Sequence, residues 1–170
     1  MSLLSMMEGL TEASVDFVVI GGVAARAHGS TRITEDLDIC YSRRPENVDR
    51  LARLLASWGA YPRGIDRDLP FFMDAQTFRT TPIMTLITAE GALDVFDEVK
   101  GVGDFESVRA SSVIVDAGDF RFRALSLEGL LEARRAAGRP KDIDQIPELK
   151  ALIELSGSDK HEKPRPDPTE

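Results

Sequence analysis

The segment Asp36-Leu37-Asp38-Ile39-Cys40-Tyr41 sets two carboxylates on alternate positions of a short apolar run, downstream of a second apolar run that ends at Gly21-Gly22. That arrangement constrains the fold more than any other feature of the chain. Side chains of a strand alternate between faces, so Asp36 and Asp38 project together while Leu37 and Ile39 project the other way. One face is acidic and the other is core. Two like charges held this close repel each other, and a fold tolerates them when a cation or a bound proton offsets the repulsion. The spacing reads as a strand-borne magnesium site facing a phosphate-cradling turn.

The neighbouring residues supply that turn. Residues 15–20 are rich in β-branched and aromatic side chains, Gly21-Gly22 follows, and the next residues suit a helix closed by Gly29. A strand–glycine turn–helix unit of this kind aims backbone N–H groups and the positive end of a helix dipole at one point, where a polyphosphate would rest.

Elsewhere, helical spacing over residues 2–13 places Leu3, Met6, Met7 and Leu10 on one stripe. Pro45 opens a helix with an apolar stripe of Val48, Leu51, Leu54, Leu55 and Trp58, and Gly59 stops it. Residues 60–80 are interrupted by Pro62, Gly64, Pro70 and several charges, and are expected to form a loop with a short strand. Residues 83–88 and 92–99 read as an antiparallel hairpin, and residues 113–125 as a second one turning near Ala117-Gly118. Ser126 caps a helix through Ala137, Gly138 ends it, and a last helix is expected from about Pro140 to Leu155. The expected fold is a mixed sheet flanked by helices, α/β or α+β, in one domain over 1–155, with residues 126–155 as a helical C-terminal cap. Residues 156–170 have few apolar side chains and three prolines, as expected of a flexible tail.

Composition narrows the partners. The 170 residues are 42% hydrophobic and 29% charged, enough for a core of their own. A formal net charge of −8 disfavours broad adhesion to a nucleic-acid backbone or an anionic membrane, although Arg134, Arg135, Arg139 and Lys141 form one basic concentration. Cys40 is the single cysteine, which excludes an intramolecular disulfide and a thiol cluster for zinc. No secretory-type leader and no run of about 20 apolar residues is present, so a cytoplasmic protein is expected.

A third carboxylate decides the chemistry. In the strand at 92–99, Asp94 alternates with Leu93 and Val95, so it belongs to the polar face and a neighbouring strand would bring it beside Asp36 and Asp38. Asp97 takes its place if the strand register is shifted. Three carboxylates suit two Mg²⁺ ions, which prefer oxygen ligands and bind through carboxylates together with substrate phosphates. One ion would activate an attacking hydroxyl, the other would stabilise a leaving pyrophosphate, and Asp94 would also serve as general base.

The string GGVAARAHGSTRITEDLDI resembles the signature of the nucleotidyltransferase superfamily that includes DNA polymerase beta, in particular small stand-alone members related to abortive-infection toxins and antibiotic-modifying nucleotidyltransferases. The likeness covers residues 15–40, extends to the Asp94 strand, and includes the C-terminal GRPKDIDQIPEL. It implies that Gly21 and Gly22 hold a nucleoside triphosphate, that Asp36, Asp38 and Asp94 hold the metals, and that Lys141 approaches the phosphates. It implies transfer of a nucleoside monophosphate to an acceptor, which could be a small hydroxylated molecule, tRNA or protein. The family often has serine where this chain has Gly22, which removes one hydroxyl from the phosphate loop.

Each residue also has a plainer reading. Arg32 and Thr34 lie in the loop expected over the nucleotide, where Arg32 either grips phosphate or is a surface arginine. His28, near a helix end, is expected to satisfy carbonyls rather than to catalyse. Lys141 and Asp142 are either first-turn helix residues or phosphate contacts. The competing function is a non-catalytic binding module with the same fold, or a toxin–antitoxin component acting on a partner protein.

Overall fold

The computed structural model describes residues 2–158. In chain order the elements are α1 (Leu3–Glu12), β1 (Phe17–Ile20), α2 (Gly21–Ala27), β2 (Asp36–Tyr41), α3 (Pro45–Ser57), β3 (Tyr61–Pro62), α4 (Ala75–Thr80), β4 (Met84–Ile87) and β5 (Ala92–Phe96). They continue with β6 (Glu98–Val99), β7 (Gly103–Asp104), α5 (Phe105–Ala110), β8 (Ser112–Asp116), β9 (Arg121–Leu125), α6 (Leu127–Ala137), α7 (Pro140–Ile143) and α8 (Ile146–Ser158).

Seven strands form one mixed sheet in the order β3-β4-β5-β2-β1-β9-β8, and β6 pairs with β7 in a separate ribbon. The two centrally placed pairs β2/β5 and β1/β9 are parallel, while β1/β2, β3/β4, β4/β5 and β8/β9 are antiparallel. Helices flank this sheet and α6 to α8 form the C-terminal cap, in the α/β arrangement expected from the sequence.

Local chemistry explains the elements. Ser2 and Ser5 form a capping box at the start of α1, whose Met6, Met7 and Leu10 are buried. Pro45 opens α3, which buries Val48, Leu51 and Leu55 at helical spacing. The Ser126 side chain accepts from the Gly129 N–H at the start of α6, and Gly138 ends that helix in the left-handed region. Leu37 and Ile39 of β2 and Leu93 and Val95 of β5 are all fully buried, so the face opposite Asp36, Asp38 and Asp94 is core. No helix among the described residues is long and apolar enough to cross a membrane.

Four expectations are corrected. Residues 60–80 contain the helix α4 besides the short strand β3, because the Asp74 side chain accepts from the Thr77 N–H and caps a turn that no periodicity announces. The strand expected over 92–99 stops at Phe96, and Glu98–Val99 turns away to pair with Gly103–Asp104. The single helix expected from Pro140 to Leu155 is two helices. Pro147 lacks an N–H and its ring crowds the preceding turn, so a continuous helix through it is disfavoured, and α8 starts afresh at Ile146. Finally, α8 runs through Ser158, past the expected start of the tail at 156, and the rest of that tail lies outside the described residues.

Candidate functional site

The parallel pairing of β2 with β5 sets Asp36 opposite Ala92, Leu37 opposite Leu93 and Asp38 opposite Asp94. Asp38 and Asp94 are therefore register partners on the same face, with Asp36 one alternation away along β2. Asp97 lies beyond the end of β5 and pairs instead with Arg43, whose Nη1 stands 3.0 Å from its Oδ2. Of the two candidates for the third carboxylate, it is Asp94 that shares the acidic face.

These three aspartates line a cleft of about 1630 Å³. Gly21, Gly22, Arg32, Thr34 and Lys141 line it as well, so all eight sequence-derived candidates border one space. Gly21 has φ +65°, and a Cβ there would stand 2.2 Å from Asp38 Oδ2, so the Asp38 carboxylate rests directly on the glycine backbone. At Gly22 an added Cβ would come within 2.9 Å of the Thr34 Oγ1. Thr34 takes the room that a serine side chain at 22 would need, and its hydroxyl donates to the Asp36 carbonyl over 3.2 Å.

Arg32 is not a free hand over the cleft. Its Nε stands 3.0 Å from Glu148 Oε2 and its Nη2 donates to the Asp144 carbonyl at 2.9 Å. Glu148 also accepts from the Ser30 hydroxyl and the Thr31 N–H, so the first turn of α8 clamps the loop that precedes β2. Burial alone would push the Glu148 carboxyl up, but these donors outweigh it and hold it below its ordinary range. His28 Nε2 donates to the Leu125 carbonyl at 2.9 Å, which makes it a link between α2 and the end of β9 rather than a cleft residue.

One residue that contacts the acidic face escaped sequence reasoning. Arg63, just after β3, donates from Nη1 to Asp36 Oδ2 at 3.2 Å and from Nη2 to Asp94 Oδ1 at 2.8 Å. Its backbone N–H bonds the Thr85 carbonyl, which fixes the base of the side chain on β4. The guanidinium therefore bridges two of the three carboxylates. Asp38 receives no such partner. Burial first, then the charges of Asp94 and Asp36, push its carboxyl up to about 6 against the lowering pull of Arg134 and Lys141. Burial also pushes Asp94 up, against the pull of Arg63.

The wall of the cleft built from α6, α7 and the β6–β7 turn is basic, with Lys100, Arg134, Arg139 and Lys141 among its lining. The Arg134 Nη1 stands 2.8 Å from Asp142 Oδ1 and the Arg139 Nε 2.6 Å from Asp142 Oδ2. Asp142 is completely buried, yet the donors from Arg139 and Arg134 outweigh that burial and hold it below its ordinary range. Lys100 joins this wall through the β6–β7 turn. There a Cβ on Gly101 would meet the Glu132 carbonyl at 2.7 Å, so only glycine lets the turn lie against α6.

For a metal, the donor chemistry fits: three carboxylates on one face are the hard oxygen ligands that a divalent cation such as Mg²⁺ takes. Their present arrangement holds an arginine as counter-charge, and among the described residues no trio of acidic, histidine or cysteine side chains is assembled as a metal-holding group. The Arg63 side chain is 37% exposed, so solvent reaches it where it sits between the carboxylates.

Comparison with solved structures finds the crystal structure of a "putative nucleotidyltransferase" from Thermotoga maritima, which matches 93% of this chain and 96% of its own at 12% identity, with a TM-score of 0.46. No protein-family model and no curated protein matches the sequence.

Proposed function

We propose that this chain is a nucleotidyltransferase that moves a nucleoside monophosphate from a nucleoside triphosphate to an acceptor, releasing pyrophosphate. The observation that carries this reading is the register of β2 with β5, which puts Asp36, Asp38 and Asp94 on one face of a cleft bounded by Gly21-Gly22 and by a basic wall. Ordinary small-molecule sites occupy about 300–1,000 Å³. At about 1630 Å³ this cleft has space for a donor nucleotide and an acceptor together.

In this reading Asp36, Asp38 and Asp94 would hold a divalent cation in place of the Arg63 guanidinium that now bridges Asp36 and Asp94. The ion would supply charge stabilisation on phosphoryl oxygens and a lowered hydroxyl pKa. Asp94 would accept the proton of the acceptor hydroxyl. Gly21 and Gly22 offer a wall with no side chain, so phosphate approaches the backbone closely. Lys141 and its arginine neighbours receive the negative charge of the triphosphate. The acceptor is a small hydroxylated molecule, a tRNA or a protein, and the net charge of −8 favours the small one.

A second reading is favoured by one observation, the Arg63 bridge across Asp36 and Asp94. A chain that keeps this bridge in the presence of nucleotide is a binding module without transfer chemistry. Incubation with nucleoside triphosphates labelled at the α-phosphate, together with separated RNA, protein and small-molecule fractions, distinguishes the two. Label appearing in one fraction and lost with Asp94→Asn supports transfer; no label in any fraction leaves the binding module.

A further inference from the structure

We propose that Asp142 is a positioning residue that sets Arg134 and Arg139 as a guanidinium pair for the triphosphate of the donor nucleotide. This rests on the reading of the cleft as a nucleotide site. It adds the residues that receive the phosphates and the one that aims them.

Asp142 sits in α7, entered from Arg139, while Arg134 comes from the last turn of α6 on the other side of Gly138. Its Oδ1 accepts from Arg134 Nη1 at 2.8 Å and from Arg139 Nη2 at 3.3 Å, and its Oδ2 accepts from Arg139 Nε at 2.6 Å. The carboxylate is fully buried and spent on these two partners, so it is not itself a ligand. Arginine carries five N–H donors in a fixed fork. The contacts to Asp142 leave Arg134 with Nε and Nη2 and Arg139 with Nη1, and both side chains line the cleft. Asp38 acts electrostatically on both, so the pair stands within charge range of the acidic face that lines the same cleft.

A polyanion entering this cleft meets three carboxylates on the sheet side. It therefore needs concentrated positive charge on the other side, and guanidinium forks match phosphate oxygens better than a mobile ammonium does. Held by one buried carboxylate, the two forks keep their orientation before ligand arrives, so less freedom is lost on binding.

The sign of one substitution separates aiming from mere charge. Asp142→Asn removes a negative charge from the wall, so a diffuse electrostatic surface would bind an anion more tightly. A positioned pair would bind it more weakly. The experiment titrates inorganic tripolyphosphate, without metal, into wild-type protein, Asp142→Asn, Arg134→Lys and the control Arg135→Gln, which pairs with Glu132 away from the cleft. Melting temperatures are recorded for each. The expected result is a loss of affinity on the order of tenfold for Asp142→Asn and Arg134→Lys, as when one charged hydrogen bond is removed, with Arg135→Gln near wild type. Should Asp142→Asn fail to fold, Asp142→Glu takes its place, since it keeps the charge and moves the carboxylate that aims the pair, and the same loss is expected of it. Variants binding as well as or better than wild type would overturn the proposal, and so would absence of tripolyphosphate binding to the wild type. Nucleotidyl transfer is measured separately with labelled triphosphate, so a protein that binds tripolyphosphate through this pair but transfers nothing refutes the enzymatic reading and leaves this one standing.

Discussion

On the sheet side of the cleft one arginine lies between two aspartates, and on the helical side one aspartate lies between two arginines. The two knots have opposite polarity and differ in burial. Asp142 is completely enclosed at the centre of its knot, with Arg134 17% and Arg139 58% exposed, whereas Arg63 at the centre of the other is 37% exposed, between Asp36 at 43% and Asp94 at 14%. A buried charge deprived of its partners is costly, while an exposed pair contributes little and exchanges readily. The helical knot is thus a fixed part of the fold, and the sheet knot is a place where one cation can give way to another.

The largest expected effect tests the fixed knot. Asp142→Ala leaves two only partly buried guanidinium groups without their shared carboxylate and should cost about 2–3 kcal/mol, read by chemical denaturation. A loss below about 1 kcal/mol would mean that the helical knot is as replaceable as a surface pair.

Asp38 is the carboxylate that neither knot satisfies, and its pH dependence should show it. Its carboxyl is pushed up to about 6 from an ordinary value of 3.8, so the folded protein binds that proton more tightly than the unfolded chain does. The stability this contributes is full below 3.8 and lost as the pH climbs through about 6. At pH 7 Asp38→Asn should therefore be more stable than the wild type by about 2–3 kcal/mol, and the difference should vanish in acid. Equal stability of the two proteins at both pH values would show that Asp38 is not strained.

The exchangeable knot predicts a smaller, conditional effect. Arg63→Ala should cost about 1 kcal/mol or less in chelator. The same variant should gain more melting temperature from Mn²⁺ than the wild type does, because the three carboxylates lose their internal counter-charge. A response to Mn²⁺ equal to that of wild type would make Arg63 a bystander. Smallest of all, Asp97→Asn should leave nucleotide binding unchanged, since Asp97 pairs with Arg43 away from the acidic face. An effect there equal to that of Asp94→Asn would move the site.

The sheet knot and the helical knot were not equally legible in the sequence. Alternation in residues 36–41 and 92–96 was enough to orient Asp36, Asp38 and Asp94, because a period of two is fixed by the pleat and the buried Leu37, Ile39, Leu93 and Val95 lock the register. Gly21 was legible as a turn, though not as the seat of the Asp38 carboxylate. Arg63 was not legible: β3 has only two residues, too few for any period, and prolines and charges surround it. The pairing of Arg32 with Glu148 spans 116 positions and leaves no local trace. In the helical knot, Arg139 and Asp142 stand at helical spacing and could have been paired on that ground, whereas Arg134 reaches Asp142 only because Gly138 breaks the helix between them. The N-cap Asp74 was a usable signal for α4, since an aspartate three residues before Thr77 opens many helices.

The central claim is that the face of Asp36, Asp38 and Asp94 takes a divalent cation together with a nucleoside triphosphate. Free Mn²⁺ followed by electron paramagnetic resonance, with each of the four nucleoside triphosphates added in turn, measures that uptake directly. Uptake that exceeds Mn²⁺ binding by the nucleotide alone, and is abolished by both Asp38→Asn and Asp94→Asn, is the predicted result. Uptake that either variant retains in full, or that the wild type never shows with any nucleotide, would contradict it.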